Sequence, residues 1–124
     1  MRVLYVDDDR VQAVLFAEAC RALGDVEIEC AACGAEALEL LAEFRPDLLV
    51  LDLHLPDTNG AQLLPELRRA LGREVPAILC TAEDDAPARR AAAAGFDGCW
   101  SKPVDVAVVM TELVRRAAGS PPLG

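Results

Sequence analysis

LLVLDLHLPDTNG, residues 48–60, is the stretch on which the fold turns. Four aliphatic residues, Leu48 to Leu51, run without a polar break into Asp52. A strand with one wet face alternates apolar and polar residues, whereas a short continuous aliphatic run is the pattern of a strand covered on both faces. Pro56 to Gly60 then reads as a loop, rich in residues that turn a chain. The acid at the end of the run needs a reason, because a carboxylate leaves water only at a cost.

Outward from this stretch the same unit recurs. RVLYV (2–6), VEIECA (26–31), DLLVLD (47–52), VPAILCT (75–81) and the short, weaker FDGCWS (96–101) read as strands. Helical patterns alternate with them. Residues from about 10 to 23 carry Val11, Val14, Leu15, Ala19 and Leu23 as the apolar positions of an amphipathic helix, stopped by Gly24-Asp25. A second helix opens at Gly34, with Ala37, Leu38, Leu41 and Ala42 on one face, and Pro46 marks the turn after it. Residues 61–71 repeat leucine at 63, 64, 67 and 71, with Pro65 leaving the helix start open. Ala86 to Ala94 and Val104 to Ala118 supply the fourth and fifth helices, the former ending at Gly95.

Five strands alternating with five helices predict a parallel sheet covered on both faces. Right-handed crossovers leave few topologies. The α/β flavodoxin-like fold, a doubly wound (βα)5 sheet in strand order 2-1-3-4-5, fits units of this size. The domain is expected over residues 1–118, with GSPPLG (119–124) as a tail or the start of a linker.

Composition agrees with one domain: 124 residues, 53% hydrophobic and only 4% aromatic, so that Leu, Val and Ala fill the core. The net charge of −9 argues against a phosphate-backbone binder and suits divalent cations or a basic partner surface. No apolar run approaches the roughly 20 residues of a membrane helix, and the apolar stretch in MRVLYVDDD is too short for a secretory signal. A cytoplasmic protein with no nucleic-acid or membrane partner is expected. The five cysteines are then reduced thiols. Cys30-Ala-Ala-Cys33 matches C-x-x-C, but one lone pair reads first as small hydrophobes, and a single histidine leaves no zinc set. Arg68, Arg69, Arg89 and Arg90 read as solvated helix faces.

The strand ends answer the question raised by Asp52. In an open parallel sheet the carboxyl ends share one edge, and sites form in the crevice there. Strand 1 runs into Asp7-Asp8-Asp9, strand 3 ends in Asp52, strand 4 in Thr81, and strand 5 in Ser101-Lys102-Pro103. With strands 1 and 3 adjacent, Asp7, Asp8 and Asp52 crowd together, while Asp9 reads as a helix cap. Crowded carboxylates repel; protonating one is one solution. The other is a hard divalent cation, and Mg²⁺ accepts one or two carboxylates while bridging to a phosphoryl oxygen. Lys102 adds a positive charge and Thr81 a hydroxyl. Together these groups have the composition of a phosphoryl-transfer site, with Asp52 as the nucleophile of an aspartyl phosphate.

Four motifs in order, Asp7-Asp8, Leu51-Asp52-x-x-Leu55-Pro56 with Gly60, Thr81-Ala82 and Lys102-Pro103, resemble the receiver domain of two-component response regulators, of the chemotaxis-regulator type, over residues 2–118. The resemblance implies that Asp52 accepts a phosphoryl group from a phosphohistidine on a histidine kinase or histidine phosphotransfer protein. It implies that Asp8, Asp52 and the main-chain carbonyl of His54 hold Mg²⁺, with Asp7 acting through water. Lys102 would pair with the phosphoryl oxygens, Thr81 would move to bond them, and Lys102–Pro103 would be a cis bond. Glu83 and His54 stand where the family tunes loss of the phosphate. The implied product is a switched surface for a downstream protein or output domain, with no catalysis beyond the domain's own phosphorylation and dephosphorylation.

One position departs from the family. Where a Tyr or Phe usually couples phosphorylation to the output face, this chain has Cys99, which is too small to fill that volume. Trp100 next to it should point to the opposite face unless the strand bulges. The signal is therefore expected to leave by other surfaces, or through Trp100 as an exposed contact. Competing readings are a pseudo-receiver that is never phosphorylated, a Mg²⁺-dependent phosphohydrolase of the haloacid dehalogenase type, which wants an acid where His54 stands, and a flavodoxin-like cofactor binder, for which no Gly-rich loop follows strand 1.

Overall fold

The aliphatic run lies at the centre of the sheet, with all five residues of β3, Leu48–Asp52, buried. The computed structural model describes residues 1–23, 26–81 and 92–101, together with Thr111 and Arg115. Around β3 stand β1 (Arg2–Val6), β2 (Glu27–Ala31), β4 (Ala77–Thr81) and β5 (Gly98–Ser101), in the order β2-β1-β3-β4-β5. Every neighbouring pair is parallel. Three helices are described: α1 (Arg10–Leu23), α2 (Gly34–Leu40) and α3 (Gly60–Leu71). The predicted fold class and strand order are those of the structure. Of the helix expected over 86–94 only its end is described, where Gly95 takes a left-handed φ of 98°. The helix expected over 104–118 lies outside the described residues except for Thr111 and Arg115, both helical.

Strand side chains alternate between two core layers. Leu4, Val6, Leu49, Leu51, Ala77 and Leu79 meet Ala37 of α2 and Leu63, Leu64, Leu67 and Leu71 of α3 on one face. Val3, Tyr5, Leu48, Val50, Ile78, Cys80 and Trp100 meet Phe16 and Cys20 of α1 on the other. At α3 the expected leucine stripe is buried, Asn59 accepts from the Gln62 N–H as the N-cap, and Gly72 closes the helix at φ 74°. The helix opens at Gly60, so Pro65 lies inside it, beyond the first turn and exposed, where its ring and missing N–H interrupt the i→i−4 ladder.

Two sequence expectations are corrected. The span of α1 is as expected, but Val11, Val14 and Leu15 are exposed, at 68%, 60% and 47%. The inward stripe is Ala13, Phe16 and Cys20, because Phe16 lies flat against Tyr5 with ring centroids 4.5 Å apart and 7° between planes. A stacked aromatic pair outweighs a valine or leucine in setting which way a helix turns. Arg68 is not a solvated residue either. Its guanidinium donates from Nε and one terminal nitrogen to the Val75 carbonyl, and from the other to the Gly95 carbonyl, tying α3 to the segments that lead into β4 and β5.

Candidate functional site

The edge of the sheet at which the strands end gathers the acids. The Asp7 N–H donates to the Ala31 carbonyl at 3.0 Å, extending the β1–β2 ladder by one residue. Val6 pairs with Leu51 in register, so the residues that follow them, Asp7 and Asp52, are neighbours. Carboxylate oxygens of Asp7, Asp8 and Asp52 all lie within 4.8 Å of one another. Asp7 and Asp52 are buried and Asp8 is exposed. Thr81 is buried at the end of β4, one residue past the Cys80 that pairs with Asp52.

The Asp7 carboxylate is held from two sides. The Tyr5 hydroxyl donates to Oδ2 at 2.8 Å and the Asp9 N–H to Oδ1 at 2.9 Å. Burial pushes the Tyr5 phenol far above its ordinary value, and the neighbouring Cys80 and Asp7 push the same way, so it stays a neutral donor. Asp9 caps α1, accepting from the Val11 and Gln12 N–H groups at 3.0 and 3.2 Å. Tyr5 belongs to none of the four sequence motifs, although a lone tyrosine in an aliphatic strand two residues before an acid is a visible signal.

The loop from β3 to α3 is folded back on itself. Leu53 N–H donates to the Cys80 carbonyl, Gly60 N–H to the Leu53 carbonyl and Leu55 N–H to the Thr58 carbonyl, and His54 and Asn59 bridge in antiparallel fashion. The His54 ring is exposed. Asp57 anchors the loop to α2, accepting from the Gly34 N–H at 2.9 Å and the Ala35 N–H at 3.0 Å. Those two donors, Gly34 first, hold the Asp57 carboxyl below its usual range. A group whose value is depressed on folding adds stability above its unfolded value and loses it as pH falls through the folded one. Asp57→Ala is therefore expected to lower the thermal midpoint by a few degrees at neutral pH, with the gap to the native chain closing below the ordinary carboxylate range. Melts at a series of pH values check this.

Among the site residues expected from sequence, Asp7, Asp8, Asp52 and Thr81 come to one edge, and His54 stands in the loop beside them. Lys102, Pro103 and Glu83 lie outside the described residues. At the departure from the family pattern, β4 and β5 stay in continuous register, with Leu79 opposite Cys99 and Cys80 opposite Trp100. No bulge turns Trp100 toward the place of Cys99. Trp100 is buried, 6.0 Å from Phe16 between ring centroids, so its expected role as an exposed contact is overturned. Cys99 is half-buried against the α2–α3 layer. Within the C-x-x-C pair, burial, reinforced by the charge of Glu29, pushes the Cys30 thiol up, the opposite direction from the lowered value of a reactive thiolate. Among the described residues none of the five cysteines is in a disulfide.

The donor set fits a hard cation. Three carboxylate oxygens converge, two of them from buried acids, and oxygen ligands select Mg²⁺, Ca²⁺ or Mn²⁺ over softer metals. A five-stranded parallel sheet in this order, with acids at the ends of β1 and β3, defines the class. The chain belongs to the response regulator receiver domain family, whose model matches residues 3–114. Such domains are the signalling modules of two-component systems. Response regulator MprA of Mycobacterium avium is 36% identical over 120 residues, covering 94% of this chain and 52% of the relative. The Mycobacterium leprae protein of the same name is 38% identical over 104 residues, covering 83% and 45%. The chain thus spans about half the length of the curated relatives it matches. Among solved structures, a putative response regulator from Chloroflexus aurantiacus is 30% identical, with a TM-score of 0.80 over 93% of this chain and 94% of that one. The non-phosphorylated HemR receiver domain from Leptospira biflexa is 28% identical, with a TM-score of 0.81 over 99% and 98%. Among the described residues no helix is long and apolar enough to cross a membrane.

Proposed function

We propose that this chain is a phospho-accepting receiver in which Asp52 takes a phosphoryl group from a phosphohistidine partner. The observation that carries the reading is the convergence of the Asp7, Asp8 and Asp52 oxygens within 4.8 Å at the edge where the strands end. An Asp52 carboxylate oxygen attacks phosphorus while the bond from phosphorus to the donor imidazole breaks and its electron pair returns to the ring. Asp8 and Asp52, with the His54 main-chain carbonyl, would hold Mg²⁺, and Asp7 would act through water; the ion would supply positive charge against the phosphoryl oxygens at an acidic site. Thr81 offers its hydroxyl to the phosphoryl group from the end of β4. Lys102 and Glu83 keep the roles the family resemblance gives them, as the counter-charge to the phosphoryl oxygens and as a modulator of phosphate loss. The exposed Val11, Val14 and Leu15 on α1, which begins just after Asp8 and Asp9, supply an apolar surface on which a histidine kinase or phosphotransfer protein can be seated beside Asp52. The readout is a switched surface for a downstream protein or output domain, in the cytoplasm.

Incubation with Mg²⁺ and acetyl phosphate, followed by intact mass, tests the reading. Gain of one phosphoryl group supports it. Continual phosphate release with no modified protein indicates a hydrolase, and neither outcome indicates a pseudo-receiver; each of those two results overturns it.

A further inference from the structure

We propose that Tyr5 is a positioning residue of the metal site: its hydroxyl fixes the Asp7 carboxylate, and through Asp7 sets the arrangement of acids that holds the divalent cation. The inference rests on the Mg²⁺ reading above.

Tyr5 is the single tyrosine of the chain and is fully buried one residue before the end of β1. A phenol hydroxyl buried in an aliphatic layer requires a partner, and here the partner is Asp7 Oδ2 at 2.8 Å. Residues two apart on a strand share a face, which puts the ring on the same side as the acid. The ring cannot swing. It is flanked in register by Cys30 of β2 and Val50 of β3, and Phe16 lies flat on it at 4.5 Å, backed in turn by Trp100 at 6.0 Å. The hydroxyl is therefore a fixed donor at a fixed point.

With the Asp9 N–H on Oδ1, each Asp7 oxygen has a donor that sets its direction. Phenylalanine at position 5 would keep the ring stack and remove only the donor. Partners behind a ligand set are worth about 10–100-fold in metal affinity. Asp7 acts through water in this reading, which places Tyr5 at the lower end of that range.

Calorimetric titration of the intact chain with MgCl₂ tests this. Tyr5→Phe is expected to bind Mg²⁺ about 10-fold more weakly than the native chain. In an Asp7→Asn background the same change should add less than about twofold, because the hydroxyl acts through Asp7. Phe16→Leu, which loosens the stack and keeps the hydroxyl, should lose clearly less affinity than Tyr5→Phe, because the donor itself remains. Trp100 emission and far-UV circular dichroism verify that each variant is folded. The inference is overturned if Tyr5→Phe binds like the native chain, if its effect is undiminished without the Asp7 carboxylate, or if Phe16→Leu loses as much. Those outcomes leave the receiver reading standing, whereas a native chain that does not bind Mg²⁺ overturns both.

Discussion

Asp52→Asn is expected to take up no phosphoryl group from acetyl phosphate and Mg²⁺, and in the absence of metal to be more stable than the native chain. The two effects have opposite signs, and their combination is what identifies Asp52 as a functional residue. The amide is a poor nucleophile toward phosphorus, so the rate should fall by on the order of 10³-fold or more, as when other covalent nucleophiles are removed. The same change deletes one of three carboxylates whose oxygens crowd within 4.8 Å, and it does so at a buried strand end. Relief of like-charge repulsion at that separation, in a partly buried setting, is on the order of 1 kcal/mol of stability. Added Mg²⁺ should then raise the urea midpoint of the native chain and leave that of Asp52→Asn nearly unchanged, since a ligand stabilises only the state that binds it. A carboxylate present for packing alone would give the reverse, a variant weakened at every Mg²⁺ concentration. Intact mass and paired urea titrations decide between the two, and a phosphorylated Asp52→Asn chain would move the acceptor to another residue.

The sequence made the sheet legible because its evidence is local. An uninterrupted aliphatic run such as Leu48–Leu51 specifies burial on both faces whatever its neighbours are, and the alternation with helices restricts the strand order. The convergence of Asp7, Asp8 and Asp52 followed from that order, since strand ends must share an edge. What could not be read depends on contacts between segments distant in the chain. The face that α1 turns inward is decided by Phe16 lying on Tyr5, and two apolar stripes compete along that helix until the partner is known. Asp57 looks like one more loop acid, yet its role as the cap of α2 depends on Gly34 and Ala35 arriving beside it from another unit. Arg68 resembles any solvated arginine until the Val75 and Gly95 carbonyls are placed within its reach. Trp100 followed the strand alternation that the sequence suggested; its burial came from the Phe16 layer, which the reversed face of α1 had concealed.

Gly60→Ala is the backbone counterpart of the acid experiment, because Gly60 is where α3 touches the end of β3. A Cβ there would stand 2.7 Å from the Asp52 carbonyl oxygen, 3.3 Å from the Asp52 carbonyl carbon and 3.2 Å from Leu79 Cδ1. Two of these atoms are main chain and cannot turn aside as a side-chain end can. Either α3 withdraws, straining the Gly60 N–H bond to the Leu53 carbonyl and the Asn59 cap, or the end of β3 moves and carries Asp52 with it. Overpacking of this kind costs about 1–3 kcal/mol. A displacement of the acceptor by a fraction of an ångström is expected to slow phosphoryl uptake by about tenfold, given that about 1 Å is worth 10²-fold in a positioned reaction. Gly72→Ala separates the two consequences. Gly72 has a φ of +74°, and a methyl group on its Cα would meet nothing within 4 Å, so alanine there strains the C-cap of α3 without touching the site. It should cost about 1–2 kcal/mol and phosphorylate at the native rate. If Gly60→Ala, matched to Gly72→Ala in stability, is phosphorylated equally fast, then the contact between α3 and the Asp52 carbonyl supports the fold alone and does not position the acceptor.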